Sequence, residues 1–168
     1  CDHLIYTRVD VRHRQMFIRD RSQSAMVEIL EEFARRGNPP KFITIETNGT
    51  QPVRDIFKKT IEDYQTKYGT EFFFSVSPKL YISGESWGKA IRPEILQQYR
   101  NVSSAGQIKY VCDGSDRAWE EVSRATSLYR EAGVDWDVWI MPVGATREEQ
   151  EEIQAQVAEE AVKKGYSV

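Results

Sequence analysis

Phe42-Ile43-Thr44-Ile45-Glu46 is an apolar run that closes on an acid, and Thr47-Asn48-Gly49-Thr50 follows at once. A carboxylate there costs desolvation unless a partner meets it, so Glu46 is expected to face a cleft and accept hydrogen bonds. Asn48-Gly49 can turn tightly and offer backbone N–H groups to a ligand; the plain alternative is an ordinary strand-to-helix turn. Ser77-Pro78-Lys79 closes a second apolar run, and Lys79 is either an anion ligand or a solvated loop residue. Lys109, inside Ile108-Lys109-Tyr110-Val111, must point its charge at a lumen or at covering helices. In Met141-Pro142-Val143-Gly144, Pro142 removes a donor and Gly144 frees the backbone. The two cysteines, Cys1 and Cys112, make no disulfide framework, so a reducing cytoplasm is the default. Cys112 fits a small buried hydrophobe. Trp87, Trp119, Trp136 and Trp139 are expected in core and loop packing, and His13 carries no partner pattern.

The elements that must position these groups alternate from residue 42 onward. Apolar runs predict strands at 42–46, 72–76, 107–111 and 138–141. Three- and four-residue apolar spacing predicts helices at about 52–68, 93–100, 116–131 and 146–164. Ile56, Ile61, Tyr64 and Tyr68 form the stripe of the first of these, and Ile153, Val157 and Ala161 that of the last. Thr146 with Glu149 forms a capping box, and Asp116 is expected to open its helix in the same manner. A further helix at about 24–36 stops at Gly37 before Asn38-Pro39-Pro40. Strands separated by helices predict βαβ units and a parallel sheet, as an α/β barrel or a doubly wound sheet. Either one puts its working groups at the carboxyl ends of the strands.

Size and charge set the outer limits. The 168 residues are 40% hydrophobic and 29% charged, which predicts one soluble domain burying about 70% of its unfolded surface. A net charge of −3 without a long Lys/Arg run speaks against a nucleic-acid partner. Apolar runs of about five residues are far short of a membrane span. The chain opens on Cys1 and stops at Gly165-Tyr166-Ser167-Val168, which resembles a helix stop followed by the start of a strand. Both ends look cut, and a fragment is the expectation.

Four motifs in order, Glu46-Thr47-Asn48-Gly49-Thr50, Val76-Ser77-Pro78-Lys79, Ile108-Lys109-Tyr110-Val111 and Met141-Pro142-Val143-Gly144 with Thr146-Arg147-Glu148-Glu149, resemble 7-carboxy-7-deazaguanine synthase over most of residues 42–168. That family is the radical S-adenosylmethionine (SAM) enzyme of queuosine and deazapurine biosynthesis. The resemblance implies a partial (β/α) barrel of the radical SAM type. It implies a 4Fe-4S cluster, SAM and Mg2+ as cofactors, and conversion of 6-carboxy-5,6,7,8-tetrahydropterin to 7-carboxy-7-deazaguanine with loss of ammonia, a carbon–nitrogen lyase reaction. Cys1 would be the last cluster cysteine. His3 stands where the family has Thr or Ser at the magnesium position. Glu46 would accept from the pterin's guanidine-like N–H edge, with Lys79 beside the substrate. Asn48, Ser77 and Pro78 would line the cofactor pocket, and no residue is assigned a catalytic role. An electron donor such as a flavodoxin is the implied protein partner, with a homodimer kept in view.

The family's first two cluster cysteines would precede residue 1, and its Gly-Gly-Glu-Pro stretch, expected between Cys1 and the helix at 24–36, is missing. Residues 12–23 read instead as a foreign or junction segment. One thiolate cannot hold a cluster that needs three, so this chain is expected to be inactive, with exposed sheet edges and poor solubility or a rearranged amino end. Two alternatives stay open. One is another radical SAM protein such as an activating enzyme. The other is a non-catalytic α/β module that binds a small anionic or purine-like ligand through Glu46 and Lys79.

Overall fold

The computed structural model describes residues 15–19, 23–143 and 147–168, with side chains for 23–143 and 154–168. Five strands form one sheet: β1 (Gln15–Arg19), β2 (Phe42–Thr47), β3 (Glu71–Val76), β4 (Gly106–Cys112) and β5 (Asp137–Pro142). All four pairings are parallel, and the strands lie in chain order. A doubly wound sheet reverses its strand order at a switch point; this sheet has no reversal. Tyr166-Ser167-Val168 continues the series, since Ser167 bridges Trp139 in parallel and exchanges backbone hydrogen bonds with Val138 and Ile140, both at 2.9 Å.

Helices fill the crossovers: α1 (Gln23–Arg35), α2 (Asp55–Tyr68), the single turn α3 (Trp87–Ala90), α4 (Pro93–Val102), α5 (Asp116–Glu131) and α6 (Arg147–Lys163). Each long one buries a stripe at helical spacing. These stripes are Met26, Val27 and Leu30 in α1, Phe57, Ile61 and Tyr64 in α2, Ile95, Leu96, Tyr99 and Val102 in α4, and Ala118, Val122, Ala125 and Tyr129 in α5. Val157 and Ala161 are the buried positions of α6 among the described side chains. Aromatic rings lock the centre: Phe74 meets Tyr99 edge-on at 5.0 Å and stacks on Trp136 at 6.1 Å.

Several details depart from the sequence expectations. Gln15–Arg19 forms a strand paired with β2, Gln15 opposite Phe42, inside the segment expected to be a junction. The second helix starts at Asp55, not 52, because other elements take the amides before it. Val53 N–H donates to Gln98 Oε1 (3.0 Å) and Arg54 N–H to Gln23 Oε1 (2.8 Å). Ile56 is exposed; Phe57 holds the stripe position instead. Asp116 is the first-turn acid of α5, while Ser115 is the cap, its hydroxyl accepting from Ala118 N–H at 3.2 Å. Thr146 lies outside the described residues, as do Cys1 and His3.

Candidate functional site

Alternation along the parallel strands gives the sheet two unlike faces. Ile43, Ile45, Phe72, Phe74, Val76, Ile108, Tyr110, Val138 and Ile140 are buried under the helices. The opposite face carries Phe42, Thr44 and Glu46 from β2, Phe73 and Ser75 from β3, Gln107, Lys109 and Val111 from β4, and Trp139 and Met141 from β5. Parallel strands covered on both sides read as continuous apolar runs. These do not, and apart from Thr47 at the end of β2 the polar residues fall on the side away from the helices.

A depression of about 260 Å³ opens on that face, floored by Thr44, Ser75 and Gln107 and walled by Phe42 and Phe73. Those two rings sit 6.2 Å apart with a 35° tilt. Gln107 Nε2 donates to the Ser75 hydroxyl at 3.1 Å. Glu46 and Lys109 face each other across β3, Nζ to Oε1 at 3.6 Å, with side chains 43% and 22% exposed. The pair is wet enough to exchange its partner for a ligand: an exposed ion pair is worth only about 0–1 kcal/mol. The site therefore offers a carboxylate acceptor, an ammonium donor and amide and hydroxyl groups between aromatic walls, which suits a flat heterocycle with both N–H donors and an acidic group.

Glu46 occupies the cleft-facing place expected of it, next to last in β2. Its expected companion does not join it. Lys79 is exposed beyond β3 and lines no part of the depression; Lys109 supplies the cation. Pro78 is buried, and Ser77 is half-buried with its N–H donating to Thr47 O at 2.8 Å, which extends the ladder. Asn48 is half-buried and bonds within its own turn, its Oδ1 accepting from the Thr50 hydroxyl at 2.8 Å and, at 3.4 Å, from Thr50 N–H. Gly49 N–H donates to Thr47 Oγ1 at 2.9 Å. The loop amides expected to greet a ligand are thus spent within the turn. Gly49 itself is required: its φ is 71°, and a Cβ would stand 3.0 Å from Val76 Cγ1.

Thr44, Ser75 and Gln107 are site residues that the sequence reading did not single out. Their signal was a polar residue at every second position of apolar runs. Trp139, expected in packing, is 37% exposed on the open face beside Lys109. Trp136 and Trp119 are buried and Trp87 is half-buried, as expected of core and loop packing.

Cys112 is fully buried on the helix side of β4, where burial pushes its thiol pKa up. Among the described residues no group of three His, Cys, Asp or Glu is arranged to hold a metal. With two cysteines in the chain and one of them sealed in the core, this donor set does not fit a cluster that needs three thiolates. A larger cleft of about 930 Å³ lies on the other side of the molecule, between α5 and α6. Its lining mixes Asp116, Glu120 and Glu160 with Arg124 and Lys164. No helix among the described residues is long and apolar enough to cross a membrane. Protein-family models give no match to this chain, and neither curated proteins nor solved structures give a significant one.

Proposed function

We propose that this chain is the substrate-holding part of a radical SAM enzyme of the 7-carboxy-7-deazaguanine synthase type, with the sheet as an arc of its (β/α) barrel. The chain-order parallel sheet, with long helices over one face and a polar opposite face, supports the barrel reading. The observation that carries the substrate reading is Glu46 on that polar face, 3.6 Å from Lys109 and above a floor of hydroxyl and amide groups. Glu46 would accept from the amidine N–H edge of 6-carboxy-5,6,7,8-tetrahydropterin, while Phe42 and Phe73 flank its ring. The cluster does not fit the residues present, so this chain is expected to bind the pterin and not to convert it.

Titration with the fluorescent analogue 6-carboxypterin tests the reading. Glu46→Gln removes a charged acceptor, worth about 1.5–3 kcal/mol, and should weaken binding about tenfold to a hundredfold. Equal affinity for wild type and E46Q would remove Glu46 from the site. The misfit of the cysteines favours a second reading, a non-catalytic module for a purine-like ligand. A full-length protein that is iron-free when made in an iron-replete host and still binds the analogue is the result that would select it.

A further inference from the structure

Ser75 breaks the apolar run Phe72-Phe73-Phe74 of β3, the middle strand of the sheet. It is only 3% exposed, and it lies at the floor of the depression. A buried hydroxyl costs free energy unless its oxygen and its proton are both met. The oxygen is met, since Gln107 Nε2 donates to Ser75 Oγ at 3.1 Å. Among the described residues no acceptor takes the Ser75 proton, and no donor meets Gln107 Oε1. With Gln107 on its oxygen, the hydroxyl keeps its proton for a different partner, and the depression is the open space beside it.

The register puts that proton next to Glu46. Glu46 lies opposite Ser75, and Ser75 lies opposite Gln107, so the three stand in one row across β2, β3 and β4. Neighbouring strands are about 4.8 Å apart, which sets a hydroxyl donor one strand from a carboxylate acceptor. We infer that Ser75 reads a ring carbonyl of the ligand and that Gln107 orients the hydroxyl to donate. The inference rests on the pterin reading above and names the edge of the ring that the site selects. In the pterin the amidine N–H groups adjoin a ring carbonyl. Glu46 accepts from the N–H groups, and Ser75 donates to the oxygen beside them. A ring with an amino group in place of that carbonyl sets a donor against the Ser75 proton, and a buried polar group left unpaired in this way is what makes a site reject an analogue. Ser75 is thus a specificity-determining residue, and Gln107 is a positioning residue that acts through it.

Two pteridines that differ at that one position test the inference by fluorescence titration, 6-carboxypterin and 2,4-diaminopteridine-6-carboxylic acid. Ser75→Ala should weaken 6-carboxypterin about fivefold to tenfold, the loss of one neutral hydrogen bond, and leave the diamino compound unchanged or tighter. Wild-type affinity of S75A for 6-carboxypterin, or an equal loss for both compounds, overturns the reading of the carbonyl. Gln107→Leu should also weaken 6-carboxypterin, by less, and should add nothing in the Ser75→Ala background. Additive losses overturn the positioning role. Nuclear magnetic resonance of the ligand-free chain reads the Gln107–Ser75 bond directly. One Nε2 proton of Gln107 should be protected from exchange with water, and S75A should abolish the protection; two unprotected protons in the wild type overturn the bond. A wild-type chain that binds neither pteridine removes the functional reading and the carbonyl role with it, while the amide protons still decide the bond.

Discussion

Gly106→Ala should be among the most damaging single substitutions in the sheet. Gly106 opens β4 opposite Phe74, and a Cβ built on it would stand 2.6 Å from two ring atoms of Trp136 and 2.8 Å from a third. Nothing in its backbone conformation forbids alanine; the obstacle is the indole face. Trp136 cannot swing aside freely, being stacked on Phe74 and bonded from Nε1 to Ser104 O at 2.9 Å. Forcing a methyl into such a contact costs about 1–3 kcal/mol, and losing the indole hydrogen bond adds about 1 kcal/mol. The sum is about 2–4 kcal/mol. For a chain of this length that lowers Tm by roughly 4–16 °C. Urea unfolding followed by tryptophan fluorescence should show the midpoint fall without a change in m. A double-mutant cycle with Trp136→Leu, which clears the space, should give a coupling of about 1 kcal/mol or more. A G106A stability within about 0.5 kcal/mol of wild type, or strict additivity with the Trp136 change, would refute the clash and with it the packing of the β4 start against Trp136.

Three further outcomes are expected. Ser103→Ala should cost about 1–3 kcal/mol in urea unfolding, because the buried hydroxyl donates to Phe72 O at 2.6 Å and accepts from Ala105 N–H at 3.1 Å, and its loss leaves both partners short. Tyr129→Phe should change stability by less than about 1 kcal/mol, since its buried hydroxyl makes no well-formed hydrogen bond among the described residues and has the Arg92 backbone as its nearest polar group; a larger loss would point to a buried water on the oxygen. Burial raises the Asp113 carboxyl pKa, but bonds from Ser115 and Tyr81 outweigh it and hold the group below the ordinary aspartate value of about 3.9. A depressed folded-state pKa means that Asp113 stabilises above the ordinary value and loses that contribution as pH falls through the folded one. The Tm gap between wild type and Asp113→Asn should therefore be full near neutral pH and narrow below about pH 4; a gap constant down to pH 2 would contradict it.

Much of this architecture could be read from residue spacing alone. The four runs at 42–46, 72–76, 107–111 and 138–141 are strands to within a residue at each end, the Asn38-Pro39-Pro40 stop follows α1 as expected, and the helices expected to end at 68 and to start at 93 do so. The strand Gln15–Arg19 was missed because it adjoins a strongly charged stretch and lacks the apolar density of the others. Glu46 was legible as cleft-facing, but its partner was not. Strand ends looked like the natural place for a cation, which favoured Lys79. Only the sheet order, with β3 alone between β2 and β4, brings Lys109 within reach. The loop amides were misjudged for a related reason: whether Gly49 N–H is free depends on where the Thr47 hydroxyl turns, and composition does not encode that rotamer.

Since every strand bonds only to its neighbours in the chain, the sheet resembles a row of planks each nailed to the next. Erosion must start at the outermost planks and travel inward. β3, gripped on both margins and roofed by Tyr64, Tyr99 and Trp136, is then the last to come loose. Damage at either flank leaves the inner planks joined, and the Glu46–Lys109 bridge, spanning three of them, survives as long as they do.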